Sequence, residues 1–385
     1  MQERLDVLNL NANGFLWLEE LKLVQLILKL NEKALAWIEE EKGRFHDDYL
    51  SPVRIPVLEH TPWMHKNLLI LPGLLEEVIK NFQEKLASGV YEPSDTSYHS
   101  RWFCVKKKSG TPRIVHDLQP LNAMTICNSG IPPIPDQVIE SMAGRLCYMM
   151  LDLYSGYDQR SLDIASCDLT TVQSPIGAVR KTVVPQGWTN AIAIFHGDIT
   201  FVLAPEIPDP VLPFVDNTTI KGPKTRYEIM GGGYEMIPTN PQIRCFIWEH
   251  LNDIHHIFHR FLCAGATIST TKLFIAVPAI TILRHRCNYE GRIPDNSKID
   301  WICNWPSCKN LSDVCAFLGI VGYMRIWIKN FSAVARPLVN LTCKGAPFVW
   351  EAPHEQAMQS LKNAITESSA LISIDYATDR HIPLS

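Results

Sequence analysis

CYMMLDLYSGYDQ, residues Cys147 to Gln159, places one carboxylate, Asp152, in the apolar run Cys147 to Leu153 and follows it with a Ser155-Gly156 turn and an aromatic, Tyr157. An apolar run of this length bounded by a turn reads as a buried strand. A lone carboxylate is costly to bury in such a strand unless it is paired or bound to metal. Asp152 is therefore read either as a strand-end acid facing a cleft or as a metal ligand. Tyr157, beyond the turn, brings an aromatic face back over the same cleft.

Three further stretches carry chemistry of the same kind. VPQGWTNAIAIFH, Val184 to His196, is a Pro-Gln-Gly-Trp turn that opens a small-residue helix, with Gly187 allowing a ligand or backbone to come close beside Gln186; alone it is a structural turn. PFVDNTTI, Pro213 to Ile220, ends the strand predicted over Val211 to Val215 at an Asp216-Asn217 corner and returns through Thr218, Thr219 and Ile220 as a hairpin. Taken singly, an Asp-Asn corner is most simply a turn. VKKKSGTPR, Val105 to Arg113, sets Lys106, Lys107, Lys108 and Arg113 around a hairpin tip at Ser109-Gly110. It is either a solvated hairpin or a basic clamp for a triphosphate.

Around these stretches helix and strand are mixed without an internal repeat, which predicts an α+β core with helical additions. Phe15 to Lys42 has helical apolar spacing with a stop at Gly43, and LPGLLEEVIKNFQEKLASG is an amphipathic helix closed by Gly89. Helices dominate again from Asn310 to Leu341. MGGGYEM has neither a feeding strand nor a following Lys-Ser/Thr, so its three glycines read as a flexible connection, not a phosphate cradle. A chain of 385 residues exceeds what one core usually organises and suggests two to four domains or subdomains.

The net charge of -4 is unevenly spread: from Lys272 to Lys344 ten Lys or Arg face four Asp or Glu, a distribution that suits a polyanion held at one end. The eleven cysteines contain no C-x-x-C pair and are read as reduced thiols, and Cys303, Cys308 and Cys315 match no zinc spacing. In DIHHIFHR, His255 and His259 lie one helical turn apart but lack a third ligand, so they read as surface histidines of an amphipathic helix. MQERLDVLNLNANG has no secretory character and no run of about 18 apolar residues occurs, so the expectation is a soluble intracellular protein, cytoplasmic or nuclear, with no membrane partner.

The order basic hairpin, L-D-L-x-S-G-Y, P-Q-G-W and F-V-D-N resembles the reverse transcriptase of gypsy-type long-terminal-repeat retrotransposons, in wording most like the fungal branch. The resemblance covers nearly the whole chain. It implies a right-hand polymerase with fingers, a ferredoxin-like palm and a helical thumb. The implied domains are an N-terminal segment over 1–90, fingers over 91–147, and a palm over 148–292 with a fingers insertion near 160–184. A thumb over 293–345 follows, then the truncated start of a ribonuclease H-like region over 346–385. DRHIPLS stands where the family begins the strand bearing its first ribonuclease H acid, and no protease, ribonuclease H site or integrase is recognised.

Residue by residue, the resemblance makes Asp152 and Asp216 the palm acids that bind Mg2+, with Mn2+ as a substitute. Tyr157 is the aromatic gate beneath the incoming sugar, Gln186 a nucleotide contact, and Arg113 with Lys106 and Lys107 the triphosphate contacts. Lys272 in STTKLF matches the lysine proposed to protonate the leaving pyrophosphate. Arg284 and His285 fall at the primer grip, where the family has Gly-His, and Arg325 joins them as a nucleic-acid contact. The implied partners are an RNA or DNA primer-template and deoxynucleoside triphosphates; oligomeric state is not indicated. Asn217 stands where the family has a third carboxylate. Two Mg2+ ions need hard, charged oxygen ligands, so this amide predicts impaired polymerisation. The alternative is an inactive nucleic-acid- or protein-binding remnant retained by the host.

Overall fold

The computed structural model describes every residue except Met1, Leu71, 107–111, 131–132, Asp216, Arg284, Asp295, 368–370 and 372–385. The chain forms two compact units. Met1–Pro133, Tyr148–Gly222 and Tyr227–Val277 make the first, and Ile134–Cys147, Pro223–Arg226 and Pro278–Ser385 the second.

In the first unit α1 (Leu18–Leu30) buries Glu20, Val24, Ile27 and Leu28, an i, i+4, i+7, i+8 stripe. The helix predicted as far as Lys42 ends twelve residues early, because one local and one long-range interaction outcompete it. The Asn31 side-chain amide donates to Ile27 O at 2.8 Å, and Leu35-Ala36 leaves to pair in parallel with Ile268-Ser269. The second amphipathic helix, α2 (Leu75–Ala87), packs Val78 and Phe82 inward, and Gly89 follows it at φ 70°, a conformation that glycine adopts without strain.

A strand β1 (Tyr91–Pro93) comes next. The basic hairpin then forms from β2 (Trp102–Lys106) and β3 (Pro112–His116), in register from Trp102↔His116 to Lys106↔Pro112. Its expected tip lies outside the described residues.

The central sheet is built from β4 (Tyr148–Asp152), whose Tyr148, Met149 and Leu151 are fully buried. The chain continues through β5 (Gly177–Lys181), which pairs with β1, and α3 (Ala191–Val202) to the hairpin β6 (Val211–Phe214) and β7 (Asn217–Lys221). After α4 (Cys245–Cys263) and β8 (Phe274–Val277), the sheet is complete in the order β8-β4-β7-β6, antiparallel throughout. Both α3 and α4 contact it. The long helix α4 buries Phe246, Ile247, Leu251, Ile254, Phe258 and Phe261, while His256 and His259 are exposed. His255 is not a free surface histidine: its Nδ1 meets the Asn31 amide at 2.8 Å.

The second unit has a three-stranded meander of β9 (Ala279–Ile282), β10 (His285–Asn288) and β11 (Gly291–Pro294). Its core is helical. Helices α5 (Leu311–Tyr323), α6 (Phe331–Leu341) and α7 (Ala352–Thr366) enclose Ile302, Phe317, Val321, Met324, Leu338 and Leu361. The eleven cysteines form no disulfide. Among the described residues no helix is long and apolar enough to cross a membrane.

Candidate nucleotide-binding and active site

Strand β4 ends at Asp152, so the carboxylate sits where the buried run opens into a cleft of about 570 Å³. The next turn is made by Ser155 at φ 47° and by Gly156, where a Cβ would come 2.7 Å from Phe195 Cζ. Only glycine allows α3 to approach this closely, and the approach sets the Tyr157 ring 4.8 Å from that of Phe195. Tyr157 thereby lines the cavity with Asp152, Arg113, Gln186, Lys181 and Lys272. Three of the four stretches singled out by sequence, and the lysine of STTKLF, thus meet in one place; no described residue of Pro213 to Ile220 lines the cavity.

Within the cavity Lys272 Nζ pairs with Asp152 Oδ2 at 2.5 Å, the lysine largely exposed and the acid mostly covered. The Arg113 guanidinium donates to Gln186 Oε1. Trp188, the last residue of the Pro-Gln-Gly-Trp turn, is buried and donates through Nε1 to Thr125 Oγ1 at 3.0 Å, and Gly187 is at φ 97°. That turn holds Gln186 at the exposed rim while its tryptophan is locked in the core.

Behind the cavity lies a charged row absent from the sequence expectation. Lys85 of α2 bridges Asp158 at 2.7 Å and Glu39 at 2.9 Å, and Glu39 is shared with Lys42. Burial alone would push the Asp158 carboxyl up, but Lys181 and Lys85 outweigh it and hold it below the usual range. Lys85 is raised for the complementary reason: burial opposes its charge, and Asp158 and Glu39 overcome that. The Tyr91 hydroxyl and His116 Nε2 lie 2.7 Å apart with their rings stacked, and burial drives His116 well below the ordinary imidazole value. Asp158 was visible beside Tyr157 in SGYDQ, whereas Lys85 and Lys181 carried no motif.

The acidic hairpin is in register Asp152↔Asn217, with Phe214 opposite Asn217 on the other side. Asn217, expected at the corner, already belongs to β7. Val215 has φ 58°, a strained conformation for a β-branched residue. Asp216 lies outside the described residues, as do Lys107 and Arg284. Lys106 ends β2. His285 and Arg325 belong to the second unit: His285 is buried against the rings of Tyr323 and Trp327, at 5.1 and 5.0 Å, and Arg325 is exposed.

The described residues do not make a site for two dications. One carboxylate, already paired with Lys272, faces the neutral residue Asn217, and among the described residues no group of three His, Cys, Asp or Glu is arranged around a common centre.

The fold is that of a right-hand polymerase. Over 97% of its length the chain superposes on the foamy viral protease-reverse transcriptase in complex with double-stranded DNA, at a TM-score of 0.81 and 20% identity, covering 61% of that chain. The same viral protein in complex with RNA/DNA hybrid gives 0.75 at 20% identity over 97% of this chain and 47% of that one. In sequence, the chain is similar to the retrovirus-related Pol polyprotein from transposon 412 of Drosophila melanogaster, 23% identical over 348 residues, 89% of this chain and 26% of that protein. It is equally similar to the transposon Tf2-7 polyprotein of Schizosaccharomyces pombe, 23% identical over 345 residues, 90% of this chain and 23% of that protein. The chain thus spans about a quarter of the length of these relatives. No protein-family model matches it.

Proposed function

We propose that the chain is a reverse transcriptase-like domain of a gypsy-type element, of the fungal branch, whose tail opens a ribonuclease H-like region. It acts within the cell on an RNA or DNA primer-template and deoxynucleoside triphosphates, and its polymerisation is impaired. The observation that carries this reading is the register Asp152↔Asn217, an acid that lines the cavity and an amide opposite it on the adjacent strand. In this reading Asp152 and Asp216 are the residues that would hold Mg2+ or Mn2+, ions whose chemistry is to neutralise developing phosphate charge. Asn217 withholds a negative charge from that place. Tyr157 orients the sugar, Arg113 and Gln186 with Lys106 and Lys107 hold the nucleotide, and Lys272, ion-paired with Asp152, is the proton donor. The exposed Arg325, with Arg284 and His285, serves the nucleic-acid strands.

Losing one oriented electrostatic group typically costs about 2.7–4 kcal/mol in the transition state, or roughly two to three decades in rate. Primer extension by wild type and Asn217→Asp, in Mg2+ and in Mn2+, tests this. A gain of two decades or more in the variant is expected, and wild-type activity within tenfold of the variant overturns the impairment. The Lys272–Asp152 pair, which already engages the described acid, favours a second reading: a nucleic-acid- or protein-binding remnant without chemistry. Primer-template affinity that is absent, or insensitive to salt, counts against nucleic-acid binding in either reading.

A further inference from the structure

We propose that Lys181 is an anion contact of the cavity and, with Arg113, holds the polyphosphate of a nucleoside triphosphate; this rests on the nucleotide reading of the cavity given above. Among the described residues the cavity is lined by the cations Lys85, Arg113, Lys181 and Lys272 against the carboxylates Asp152 and Asp158. Both acids are engaged, Asp152 by Lys272 at 2.5 Å and Asp158 by Lys85 at 2.7 Å. The second acid on Lys85, Glu39, is itself shared with Lys42. Among the described residues Arg113 meets only the neutral oxygen of Gln186. Two cations therefore face the cavity without an ion-pair partner among the described residues, and Lys181 is the one no motif marks.

The backbone fixes where Lys181 points. It closes β5 opposite Tyr91, and its N–H donates to Thr170 Oγ1 at 2.8 Å. Its ammonium lies over the Tyr91 ring at 5.5 Å from the centroid, an arrangement that tolerates a cation without neutralising it. Burial depresses its pKa; Asp158 opposes this, and Lys85 and Arg113 add like-charge repulsion. Asp158 is also held by Lys85, so a half-buried Lys181 with Lys85 and Arg113 beside it is relieved by an anion placed between it and Arg113. The same phosphate chemistry is offered by a free nucleotide and by a nucleic-acid strand, so the test must separate them.

The test is equilibrium binding of dTTP to the full chain without primer, with tripolyphosphate as competitor and a primer-template duplex as a separate arm. Lys181→Met is expected to weaken dTTP about ten- to hundredfold, the range of a lost charge-assisted contact. Lys181→Arg is expected to restore most of it, and tripolyphosphate to show the same dependence on residue 181. Lys80→Met, which removes a cation paired with Glu84 on the outer face of α2, is expected to change nothing. Binding of dTTP by Lys181→Met within twofold of wild type overturns the role of Lys181 while leaving the cavity reading intact. Wild type that binds no triphosphate overturns both. A loss confined to the primer-template arm reassigns Lys181 to the nucleic acid and also overturns the proposal. Thermal unfolding of each variant controls for folding, and should Lys181→Met not fold, Lys181→Gln replaces it in every arm.

Discussion

Arg244 and Glu20 form an ion pair almost wholly withdrawn from water, their side chains 5% and 0% exposed. The carboxylate accepts from Arg244 Nε at 2.8 Å and Nη2 at 2.6 Å, and from the backbone N–H groups of Arg244 and Trp17 at 3.0 and 2.8 Å. The guanidinium lies over the rings of Phe15 and Trp17 at 4.9 and 4.8 Å. This pair ties α1 to the start of α4, and the segment that follows α1 delivers Glu39 and Lys42 to the charged row behind the cavity. Glu20→Gln keeps the shape and removes the charge, leaving a buried guanidinium with a neutral acceptor. Breaking one side of a buried pair costs about 3–5 kcal/mol. At about 2–4 °C per kcal/mol for a unit of this size, the melting temperature is expected to fall by roughly 6–20 °C. Urea unfolding and amide hydrogen exchange of α1 read the effect, the second because detachment of α1 can precede global unfolding. Glu20→Met combined with Arg244→Met, which removes both charges, is expected to recover much of the loss. A Glu20→Gln chain within about 1 kcal/mol of wild type refutes the reasoning, since the guanidinium would then have to be solvated or satisfied without its carboxylate.

Two other perturbations follow from burial and backbone geometry. His250 lies in α4 with no exposure, and burial pulls its imidazole from the ordinary 6.5 to about 4, against an opposing hydrogen bond with the Tyr148 backbone. A depressed histidine contributes stability that is fully present above its unfolded value and is lost as pH falls from 6.5 towards 4. The contribution is about 3 kcal/mol. The stability difference between wild type and His250→Leu, measured in urea, is expected to move in favour of the variant across that window, and a difference independent of pH would contradict it. Gly265 sits at φ 81°, where a Cβ would come 2.4 Å from Arg44 O. Gly265→Ala combines left-handed strain with a backbone clash and is expected to lower stability by about 2 kcal/mol or more. A change below about 0.5 kcal/mol by chemical denaturation would show that this crossing relaxes freely.

The elements most open to sequence reasoning were those whose local pattern and tertiary use agree. Tyr148 to Asp152 is apolar because it is a central strand, and the hairpin of Val105 to Arg113 needs only its own alternation and turn chemistry. The N-terminal helix was overextended because Leu35 and Ala36 have helical spacing but are recruited by Ile268 and Ser269, a pairing 233 residues away in the chain that no local pattern announces. The site divides in the same way. Asp152, Tyr157 and Gln186 flank Ser155 or Gly187, turn residues with positive φ that leave short motifs as a trace, and Arg113 is marked by the basic run of its hairpin. Lys85 and Lys181 lie inside an ordinary helix and an ordinary strand, and become part of the cavity only when α2 and β5 are brought together by β1.

Asn217 brings these two kinds of determinant into contrast. The hairpin that carries it is specified by buried partners, Val211↔Ile220 and Pro213↔Thr218, and by the pairing of Thr218 to Lys221 with β4. Residue 217 itself is exposed at the first position of β7. The side chain is thus outside the core, and Asn217→Asp is expected to leave the register unchanged. Its cost is electrostatic: a second carboxylate is brought opposite Asp152, next in the chain to Asp216, and Asp152 is already paired with Lys272. Exposed like charges destabilise by a few tenths of a kcal/mol, so thermal unfolding is expected to place the variant slightly below wild type at low salt and level with it at high salt. A loss above about 2 kcal/mol, or one that salt does not relieve, would mean that Asn217 is held by the fold. In that case the amide at this corner would be a structural requirement of the hairpin, and its presence would say nothing about lost chemistry.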